Sequence, residues 1–394
     1  MQILFLSRWF PYPPTNGSKL RIYHLLSGLS KHHRVTLISF FDPQEGALQT
    51  DDLLQFCDRV YSLPWREYQP SSLHSFGGFF SQMPRYLKDT FSTAMRDEIG
   101  NQLASNRFDL VIASQIDMAA YAPFFGQVPA IFEEVEVGVF YENYAHASTQ
   151  IQRLRAGLTW LKHRRYLEST LDRFEVSTVV SEREAELINR HVTRRARIKV
   201  IPNSVDVRSY SDLQETTEPY TMIFTGAFTY EPNYDAMVWF LQNVYPMVRE
   251  KVPNARLVIT GNHAGRKLPC SDGVTLTGFV EDVRPFINRS WCCLAPLQQG
   301  GGTRLKILEA MALKTPVVAT SKGAEGLDVK HGEHILIADD PIAFAQAILE
   351  LFEDQKLHES LAENAYNLVR EKYNWSAVMP RFLQLVDEAV KVNQ

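Results

Sequence analysis

The chain has 394 residues, which is too many for one ordinary hydrophobic core and predicts two domains. Its 45% hydrophobic and 22% charged residues are typical of a soluble globular protein. Lys and Arg total 41 against 45 Asp and Glu, a net charge of −4, so we expect no nucleic-acid partner of the kind that binds through a general basic excess.

The four cysteines show no C-x-x-C spacing, and two of them are adjacent within the apolar run "SWCCLAPL". This pattern predicts a reduced, cytoplasmic protein with structural thiols. The apolar start "MQILFLSRWF" is too short for a signal-peptide core and predicts a first β-strand. No stretch of about 18 apolar residues is available to cross a membrane.

Short apolar runs alternate with helical patterns through the first half of the chain. The repeat of Leu20, Tyr23, Leu26 and Leu29 predicts the first helix. We predict strands at 3–7, 34–40, 109–114, 130–134 and 176–181. Alternating strands and helices predict right-handed crossovers and a mainly parallel sheet.

The same alternation starts again with the strand predicted at 220–228, so the second half predicts another doubly wound α/β domain. Pro202 and the polar run after it are typical of a linker, which gives domains of 1–203 and 204–372. The final segment, 373–394, predicts a helix that contains Pro380. Its apolar stripe must pack on something, and we expect it to complete the first domain.

The stretch "QQGGGTRLKILEAMA" at 298–312 carries the main chemical signal. Gly300, Gly301 and Gly302 allow backbone N–H groups to approach a ligand closely, and Thr303 is a reasonable N-cap for the following helix. Helix starts favour acidic residues, yet this one has Arg304 and Lys306. The combination predicts a diphosphate site.

Glu309 lies among apolar residues of the same helix, so its carboxylate is expected to need a defined partner such as a ligand diol. The plainer alternative is a glycine loop with solvated basic side chains and a surface glutamate.

Three other loops follow predicted strands, the position at which α/β sheets bind ligands. One holds Asn16, Gly17 and Ser18, without the G-x-G-x-x-G spacing of dinucleotide sites. A second holds Gly226, with Asn233 as the predicted cap of the next helix, and a third, at 320–328, holds Glu325. Ordinary capped turns are the alternative for each.

In the first half, Asp117, Glu133, Glu134 and Glu136 follow strands and are able to bind hydroxyls or accept a proton. Each is also explained as a structural carboxylate. The basic stretch at 152–174 predicts either a membrane-surface helix or the solvated face of a packed helix. With the aromatic stretch at 76–87, it leaves peripheral contact with the inner face of a membrane open.

Several blocks in order resemble family-4 glycosyltransferases: "NGS…R", "VVSEREAEL", "VIPNSVD", "FTGAFTYEPNYDAMVWF", "LTGFVEDVRPFI" and "GGGTRLKILEAMALKTPVVAT". The resemblance implies a GT-B fold, in which two Rossmann-like domains face a cleft and the C-terminal helix crosses back to the first. It also implies retaining sugar transfer without a bound metal or other cofactor. The implied partners are a UDP- or GDP-type nucleotide sugar and a saccharide, lipid-linked or small-molecule acceptor with a hydroxyl group.

Carried over by position, Glu309 binds the donor ribose, and Arg304 and Lys306 neutralise the leaving diphosphate. Gly226 lines the donor side, and Gly17 approaches donor phosphates or acceptor. Asp117 stands near the position of a common cleft histidine.

Two departures from the family pattern are clear. The usual first glutamate, separated from the second by seven residues, is replaced by Gly301, and the usual Arg and Lys of the loop "GAFTYEPN" are missing. A catalytically silent nucleotide-sugar-binding subunit and a GT-B 2-epimerase therefore stay as alternatives to a hexosyltransferase of polysaccharide or glycoconjugate biosynthesis.

Overall fold

A parallel sheet forms the centre of the first part of the chain. The computed structural model describes residues 1–46, 48–210, 213, 215–269, 272–302 and 304–391. In this described part, the first sheet contains β1 (Gln2–Ser7), β2 (Arg34–Phe41), β3 (Arg59–Pro64), β4 (Leu110–Ser114), β5 (Ala130–Glu133), β6 (Val176–Val179) and β7 (Ile198–Val200). Their order is β3-β2-β1-β4-β5-β6-β7, and every pair is parallel.

The predicted strands of this sheet are confirmed, while β3 and β7 were not predicted. β3 is only half-buried, with the sequence "RVYSLP", so its apolar signal is weak. Central strands are almost wholly apolar because helices cover both of their faces. β1 is such a strand, since its Ile3 pairs with Val35 of β2 on one side and with Leu110 of β4 on the other.

The helices of this part begin with α1, whose N-cap Asn16 accepts a hydrogen bond from the Lys19 backbone N–H and so confirms the predicted start. Short 3₁₀ helices occur at Pro43–Glu45, Gly78–Phe80 and Ala122–Phe124. The helices are α1 (Gly17–Ser30), α2 (Asp51–Leu54), α3 (Leu73–Gly77), α4 (Arg85–Thr90), α5 (Thr93–Ser105), α6 (Gln115–Ala119), α7 (Gly138–Ala145), α8 (Gln150–Leu171) and α9 (Glu182–His191).

A second parallel sheet has the order β10-β9-β8-β11-β12-β13. Its strands are β8 (Glu218–Thr225), β9 (Arg256–Thr260), β10 (Val274–Gly278), β11 (Ser290–Ala295), β12 (Val317–Ala319) and β13 (Leu336–Ile337). A 3₁₀ helix, Val207–Tyr210, precedes them. The helices are α10 (Glu231–Asn243), α11 (Tyr245–Lys251), α12 (Arg284–Arg289), α13 (Leu305–Ala312), α14 (Pro341–Glu353), α15 (Gln355–Lys372) and α16 (Trp375–Lys391).

The two sheets belong to two compact units. The first comprises Met1–Pro202 and the segment that starts at Met379, and the second comprises Asn203–Val378. The chain returns to the first unit at Met379, which lies within α16 and directly precedes Pro380. The apolar stripe of α16 is buried, since Val378, Phe382 and Val386 have no exposed surface.

Two helix starts differ from prediction. Asn233 does not cap α10: the N-cap is Tyr230, and Asn233 is the third residue inside the helix. Helix α13 starts at Leu305 with Arg304 as N-cap, and Thr303, the predicted cap, lies outside the described residues. Within the described helices, none is long and apolar enough to cross a membrane.

Candidate functional site

In both sheets the chain starts in the middle, runs outward to one side and then continues on the other. The order reverses between β1 and β4 in the first unit and between β8 and β11 in the second. Loops at the carboxyl ends of strands flanking such a reversal form the usual ligand crevice of open α/β sheets. The predicted site residues fall on these loops and on the helices that follow them.

The loop after β8 passes very close to the start of α13, and Gly226 makes this possible. Its φ is +154°, and a Cβ placed there would lie 2.7 Å from Asn233 Nδ2 and 3.0 Å from Lys306 Nζ. Any larger residue would displace these side chains. Gly226 thus lies beside Lys306, as the predicted common site requires.

The glycine loop, residues 298–302, follows β11 and depends on two left-handed glycines, Gly300 at φ +96° and Gly302 at φ +87°. Tyr230, from the loop after β8, donates its hydroxyl to the carbonyl of Gly301 over 3.2 Å. A Cβ on Gly300 would come within 2.6 Å of the Tyr230 hydroxyl oxygen. The two loops that flank the reversal are therefore packed tightly together.

Arg304 is only 5% exposed, and its guanidinium is directed at backbone carbonyls. It donates to Gly301 over 3.2 Å, to Gly300 over 3.1 Å and to Lys322 over 2.9 Å. The Arg304 side chain thus fixes the glycine loop and joins it to the loop after β12. Contact of Arg304 with a bound anion stays a prediction.

Lys306 lies in the first turn of α13, beside the loop that follows β8. Its Nζ donates to Asn233 Oδ1 over 3.0 Å and lies 4.0 Å from the centre of the Phe224 ring. Burial, with a further contribution from the charge of Arg304, lowers the pKa of Lys306 to about 7 from an ordinary value of 10.5. An anion bound here would favour the charged form.

Glu309 lies one turn further along α13 and is half-buried. Its Oε1 accepts a hydrogen bond of 3.3 Å from the hydroxyl of Tyr210. Burial raises the pKa of Glu309 to about 7, while the bond from Tyr210 and the charge of Lys306 oppose the rise. Glu325 pairs with Lys322 at 2.5 Å and lies 3.8 Å from the Arg304 guanidinium.

The reversal in the first unit is lined by side chains rather than by glycines. Arg21 of α1 donates from Nε to Glu133 Oε1 over 2.6 Å, and both side chains are almost completely buried. Ser114, at the end of β4, donates its hydroxyl to the other oxygen of Glu133 over 2.7 Å. This ion pair joins α1 to the ends of β4 and β5.

Beside this ion pair, Gln115 connects two of the predicted residues. Its Nε2 donates to Ser18 Oγ over 3.2 Å and to Glu134 Oε2 over 2.9 Å. Gln115 and Glu134 both have left-handed backbones, at φ 68° and 60°, a strained conformation for residues with a side chain, and such strain is enriched at functional sites. Burial, and next the charge of Glu133, raise the pKa of Glu134 to about 7.

The remaining predicted residues of the first unit lie on the same loops. Gly17 is the first residue of α1, with Asn16 as its cap. Asp117 lies in the first turn of α6, where burial raises its pKa to about 6 against the charge of Arg8. Glu136 follows β5 and is exposed.

Sequence reasoning missed four residues that the structure brings to these crevices: Arg21, Gln115, Tyr210 and, in its actual role as partner of Lys306, Asn233. Arg21, Tyr210 and Asn233 each form a hydrogen bond with a residue at least 70 positions away in the sequence. The two hydrogen-bond partners of Gln115 are 19 and 97 positions away. Of these four residues, only Arg21 could have been predicted from the sequence, because it is a cation about one turn into the helix that begins at the loop of Asn16 and Gly17.

Among the described residues, no group of three or more His, Cys, Asp and Glu side chains has the arrangement of a metal site. Of the thiols, Cys292 and Cys293 are buried in β11, and burial raises their pKa well above the ordinary range of a thiol. Cys270 lies outside the described residues.

Two family models match the chain. The model described as Glycosyltransferase Family 4 matches residues 15–209, and the model described as Glycosyl transferases group 1 matches residues 219–354. The first match begins just before α1 and includes every strand of the first sheet except β1, and the second match spans β8 to α14.

Curated relatives match over part of their length. An uncharacterized 44.6 kDa protein in the cps region of Klebsiella pneumoniae is 28% identical over 39% of this chain and 42% of its own. Phosphatidyl-myo-inositol mannosyltransferase from Mycobacterium leprae is 29% identical over 48% of this chain and 52% of its own. The chain thus spans about half the length of the curated relatives it matches.

Solved structures match the whole fold. Sucrose-phosphate synthase from Thermosynechococcus elongatus has a TM-score of 0.72, with 17% identity over 100% of both chains. HepE from Anabaena, in complex with UDP and glucose, has a TM-score of 0.68 with 15% identity over 98% of this chain and 100% of its own.

Two doubly wound parallel sheets, each with loops at its strand reversal, define a protein of the GT-B fold class. Within that class, the chain belongs to the family-4 glycosyltransferases.

Proposed function

We propose that this protein is a retaining glycosyltransferase that moves a sugar, of hexose type, from a nucleotide-diphosphate sugar to a hydroxyl acceptor in polysaccharide or glycoconjugate biosynthesis. One observation carries the proposal. In the second unit, the glycine loop, a half-buried lysine and a half-buried glutamate meet at the reversal of the sheet, which suits a ligand with an anionic part and a hydroxyl part.

The donor diphosphate binds, in this proposal, at Lys306 and at the backbone N–H groups of the glycine loop. Gly226 lines this donor side without donating to the ligand, because its own N–H donates to the carbonyl of Thr260 over 3.0 Å. Lys306 is held in place by Asn233 before any ligand arrives, so little reorganisation is needed as charge develops on the leaving diphosphate. Arg304 adds positive charge and keeps the loop in shape through its three carbonyl contacts. Thr303 belongs to the same donor segment.

The nucleoside binds at Glu309, whose carboxylate accepts hydrogen bonds from the ribose hydroxyls. Tyr210 orients that carboxylate through its own hydroxyl. A buried carboxylate is costly without partners, and two ribose hydroxyls supply them. Glu325, which lies beside Arg304, completes the donor side.

The acceptor binds to the first unit in this proposal, near Asn16, Gly17 and Ser18 and the carboxylates Glu134 and Glu136. Gln115 fixes Ser18 and Glu134 relative to each other, so hydroxyl-binding groups are already positioned. Asp117, with its pKa raised to about 6, is suited to accept a hydroxyl proton near neutral pH. The acceptor domain of this proposal is the first unit, Met1–Pro202 with the segment from Met379, and the donor domain is the second unit, Asn203–Val378. These bounds lie within six residues of the expected 1–203 completed by 373–394 and 204–372.

Related proteins support the choice of donor class. The Anabaena HepE structure contains UDP and glucose, and a further HepE structure contains UDP-glucose. Two curated relatives are described as a phosphatidyl-myo-inositol mannosyltransferase and a mannosylfructose-phosphate synthase. UDP- and GDP-sugars are therefore the first donors to test.

The proposal includes catalysis without a bound metal, because Lys306 and Arg304 supply the positive charge that a divalent ion supplies elsewhere. The test is turnover of radiolabelled UDP- and GDP-sugars by the purified protein in EDTA, with an added mixture of saccharide and lipid-linked acceptors. We expect transfer or slow donor hydrolysis that EDTA does not change. Activity that appears only after Mg²⁺ or Mn²⁺ is added would contradict the metal-free part.

A catalytically silent nucleotide-sugar-binding subunit is the second candidate, and Gly301 favours it. The residue stands where the family usually has its first glutamate, and its carbonyl is occupied by Tyr230 and Arg304. A silent subunit would bind the donor with all acceptors present and never turn it over, so the same labelled-donor experiment separates the two functions.

A further inference from the structure

One face of the first unit exposes large apolar side chains that no part of the proposed function uses. The side chains fall in two groups, one on α3 and the following 3₁₀ helix and one on the first half of α8. We call them together the apolar-basic face. Its members and their exposed fractions are Leu73 (88%), Phe76 (60%), Phe79 (58%), Phe80 (86%), Ile151 (67%), Leu154 (66%) and Leu158 (61%).

The two groups form one surface. Ile151, Leu154 and Leu158 recur at helical spacing along α8, and Lys162 is the next residue on that stripe. Lys162 donates from Nζ to the carbonyl of Gly78, which lies between Phe76 and Phe79. The exposed stripe of α8 therefore runs directly into the aromatic cluster, where Phe76 has ring centroids 6.0 Å from both Phe79 and Phe80.

The opposite face of α8 explains why this surface is outward. Trp160, His163 and Leu167 of the same helix are buried against the unit, with His163 stacked on Phe140 at 3.8 Å between ring centroids. Helix α8 is thus fixed by its inner face and presents its apolar stripe outward along its first turns.

The two segments that carry this face have charges of one sign. Residues 143–167 contain no Asp or Glu, and neither do residues 68–88. The guanidinium of Arg85 lies 4.0 Å from the centre of the Phe79 ring. The cations of the two segments are Arg85, Lys88, Arg153, Arg155, Lys162, Arg164 and Arg165.

We propose that the apolar-basic face docks this protein onto an anionic membrane surface, with the leucine and phenylalanine side chains inserted among acyl chains and the cations on lipid head groups. Exposed leucines and phenylalanines beside basic residues are typical of helices that lie in a membrane interface. A second copy of the chain fits less well, because a symmetric contact would place this face against itself. Like charges would then meet without a carboxylate between them.

The test is co-flotation of the full chain with vesicles, and it does not depend on the proposed activity. We compare phosphatidylcholine vesicles with vesicles that contain about 30 mol % phosphatidylglycerol. The wild type is expected to bind the anionic vesicles. The double variant Leu73→Ser/Phe80→Ser is expected to bind about tenfold or more weakly, because two inserted apolar side chains are lost.

The charge variant Arg155→Gln/Arg165→Gln is expected to bind about 30-fold more weakly, since each basic residue near an anionic surface contributes about a factor of five. Matched controls lie in the second unit: Ile342→Ser replaces an exposed apolar residue and Lys251→Gln/Lys356→Gln replaces two exposed cations. Both controls are expected to bind like the wild type. All replaced side chains are exposed, so melting temperatures serve to verify the folds.

Three results would overturn the proposal. They are failure of the wild type to bind anionic vesicles, equal binding to neutral vesicles, and loss of binding that is the same in the patch and control variants. If the wild type instead self-associates, and Leu73→Ser/Phe80→Ser makes it monomeric, the face is an interface between copies. Capture of a soluble acidic protein without vesicle binding would likewise assign it to a protein partner.

Discussion

The two units share one strand order but differ in what lies at its reversal. In the second unit the loops at the reversal are built largely from glycine backbone, with left-handed φ values at Gly226, Gly300 and Gly302, and the half-buried Lys306 lies beside them. In the first unit the left-handed residues at the reversal are Gln115 and Glu134, whose side chains carry hydrogen-bonding groups. One topology thus supports two kinds of chemistry.

The difference indicates which kind of ligand each candidate site is suited to bind. Backbone N–H groups and Lys306 suit an anion that arrives with its own charge. The buried pair of Arg21 and Glu133 is already neutralised, so it positions neighbours such as Ser114 and does not wait for a counter-charge. We therefore expect the first crevice to be sensitive to loss of structure and the second to loss of ligand charge.

The largest expected effect is on stability, at the buried ion pair. Arg21→Met leaves Glu133 buried without its partner, which is expected to lower the free energy of unfolding of the first unit by about 3–5 kcal/mol. The measurement is urea unfolding followed by circular dichroism. The control is Arg34→Met, because Arg34 pairs with Asp58 at the same 2.6 Å but is 73% exposed, and an exposed pair contributes less than about 1 kcal/mol. Equal losses in the two variants would show that burial of the pair is unimportant.

The next largest effect is expected on donor turnover, when Lys306 is replaced. Lys306→Met keeps the length of the side chain and removes its charge, so turnover of donor is expected to fall about 10²- to 10³-fold while the fold stays stable. Steady-state kinetics with labelled donor measures the loss. Lys330→Met, which removes an exposed lysine of the same unit, is the control and is expected to keep wild-type activity. A Lys306→Met enzyme of normal activity would remove the lysine from catalysis.

A smaller effect is expected from the glycine loop. Gly300→Ala and Gly302→Ala both place a Cβ at a left-handed residue, at a cost of about 1–2 kcal/mol. Only the Gly300 variant also brings its Cβ against Tyr230 and Pro232, whereas Gly302 has no heavy atom within 4 Å of the added Cβ. Donor affinity is therefore expected to fall about tenfold further in Gly300→Ala than in Gly302→Ala, by calorimetric titration. Identical affinities would mean that packing against Tyr230 does not shape the site.

A pH dependence of stability is also expected. The pKa of Glu309 is about 7 in the folded protein and 4.5 ordinarily, so the folded state binds a proton that the unfolded state has lost between these values. The contribution of Glu309 to the free energy of unfolding therefore falls as the pH rises from about 4.5 to about 7. Subtracting the unfolding curve of Glu309→Gln at each pH isolates this slope.

The control for that slope is Glu363→Gln. Glu363 is exposed, and its bond with Lys314 lowers its pKa, so its contribution does not fall as pH rises over the same range. A wild-type minus Glu309→Gln difference that is flat, or that rises with pH, would contradict the burial of Glu309.

Much of the fold followed from the sequence because strand and helix patterns are local. The buried strands and the cap at Asn16 needed only neighbouring residues, whereas β3 was missed because it is half-buried and weakly apolar. The glycine loop and Glu309 were also readable, since unusual residue types at a helix start are visible locally. Their partners were not: Asn233 is 73 residues from Lys306, and Glu133 is 112 residues from Arg21.

Arg304 shows the limit most clearly. The sequence predicted a cation at the helix start, and a cation is there, but its guanidinium bonds carbonyls of Gly300, Gly301 and Lys322. Backbone carbonyl directions depend on the left-handed glycines of the loop, which no residue pattern specifies. The different surroundings of Arg304, which donates to loop carbonyls, and of Lys306, which donates to the Asn233 side chain, could be seen only in the structure.

The most direct test of a nucleotide-sugar site in the second unit is a thermal-shift titration in EDTA. UDP-, GDP- and ADP-sugars are added separately to the wild type and to Lys306→Met, because a ligand that binds only the folded state raises the melting temperature in proportion to its binding free energy. We predict that at least one of these donors stabilises the wild type and that Lys306→Met loses most of that shift. Absence of any shift, or an equal shift in both proteins, would contradict the site.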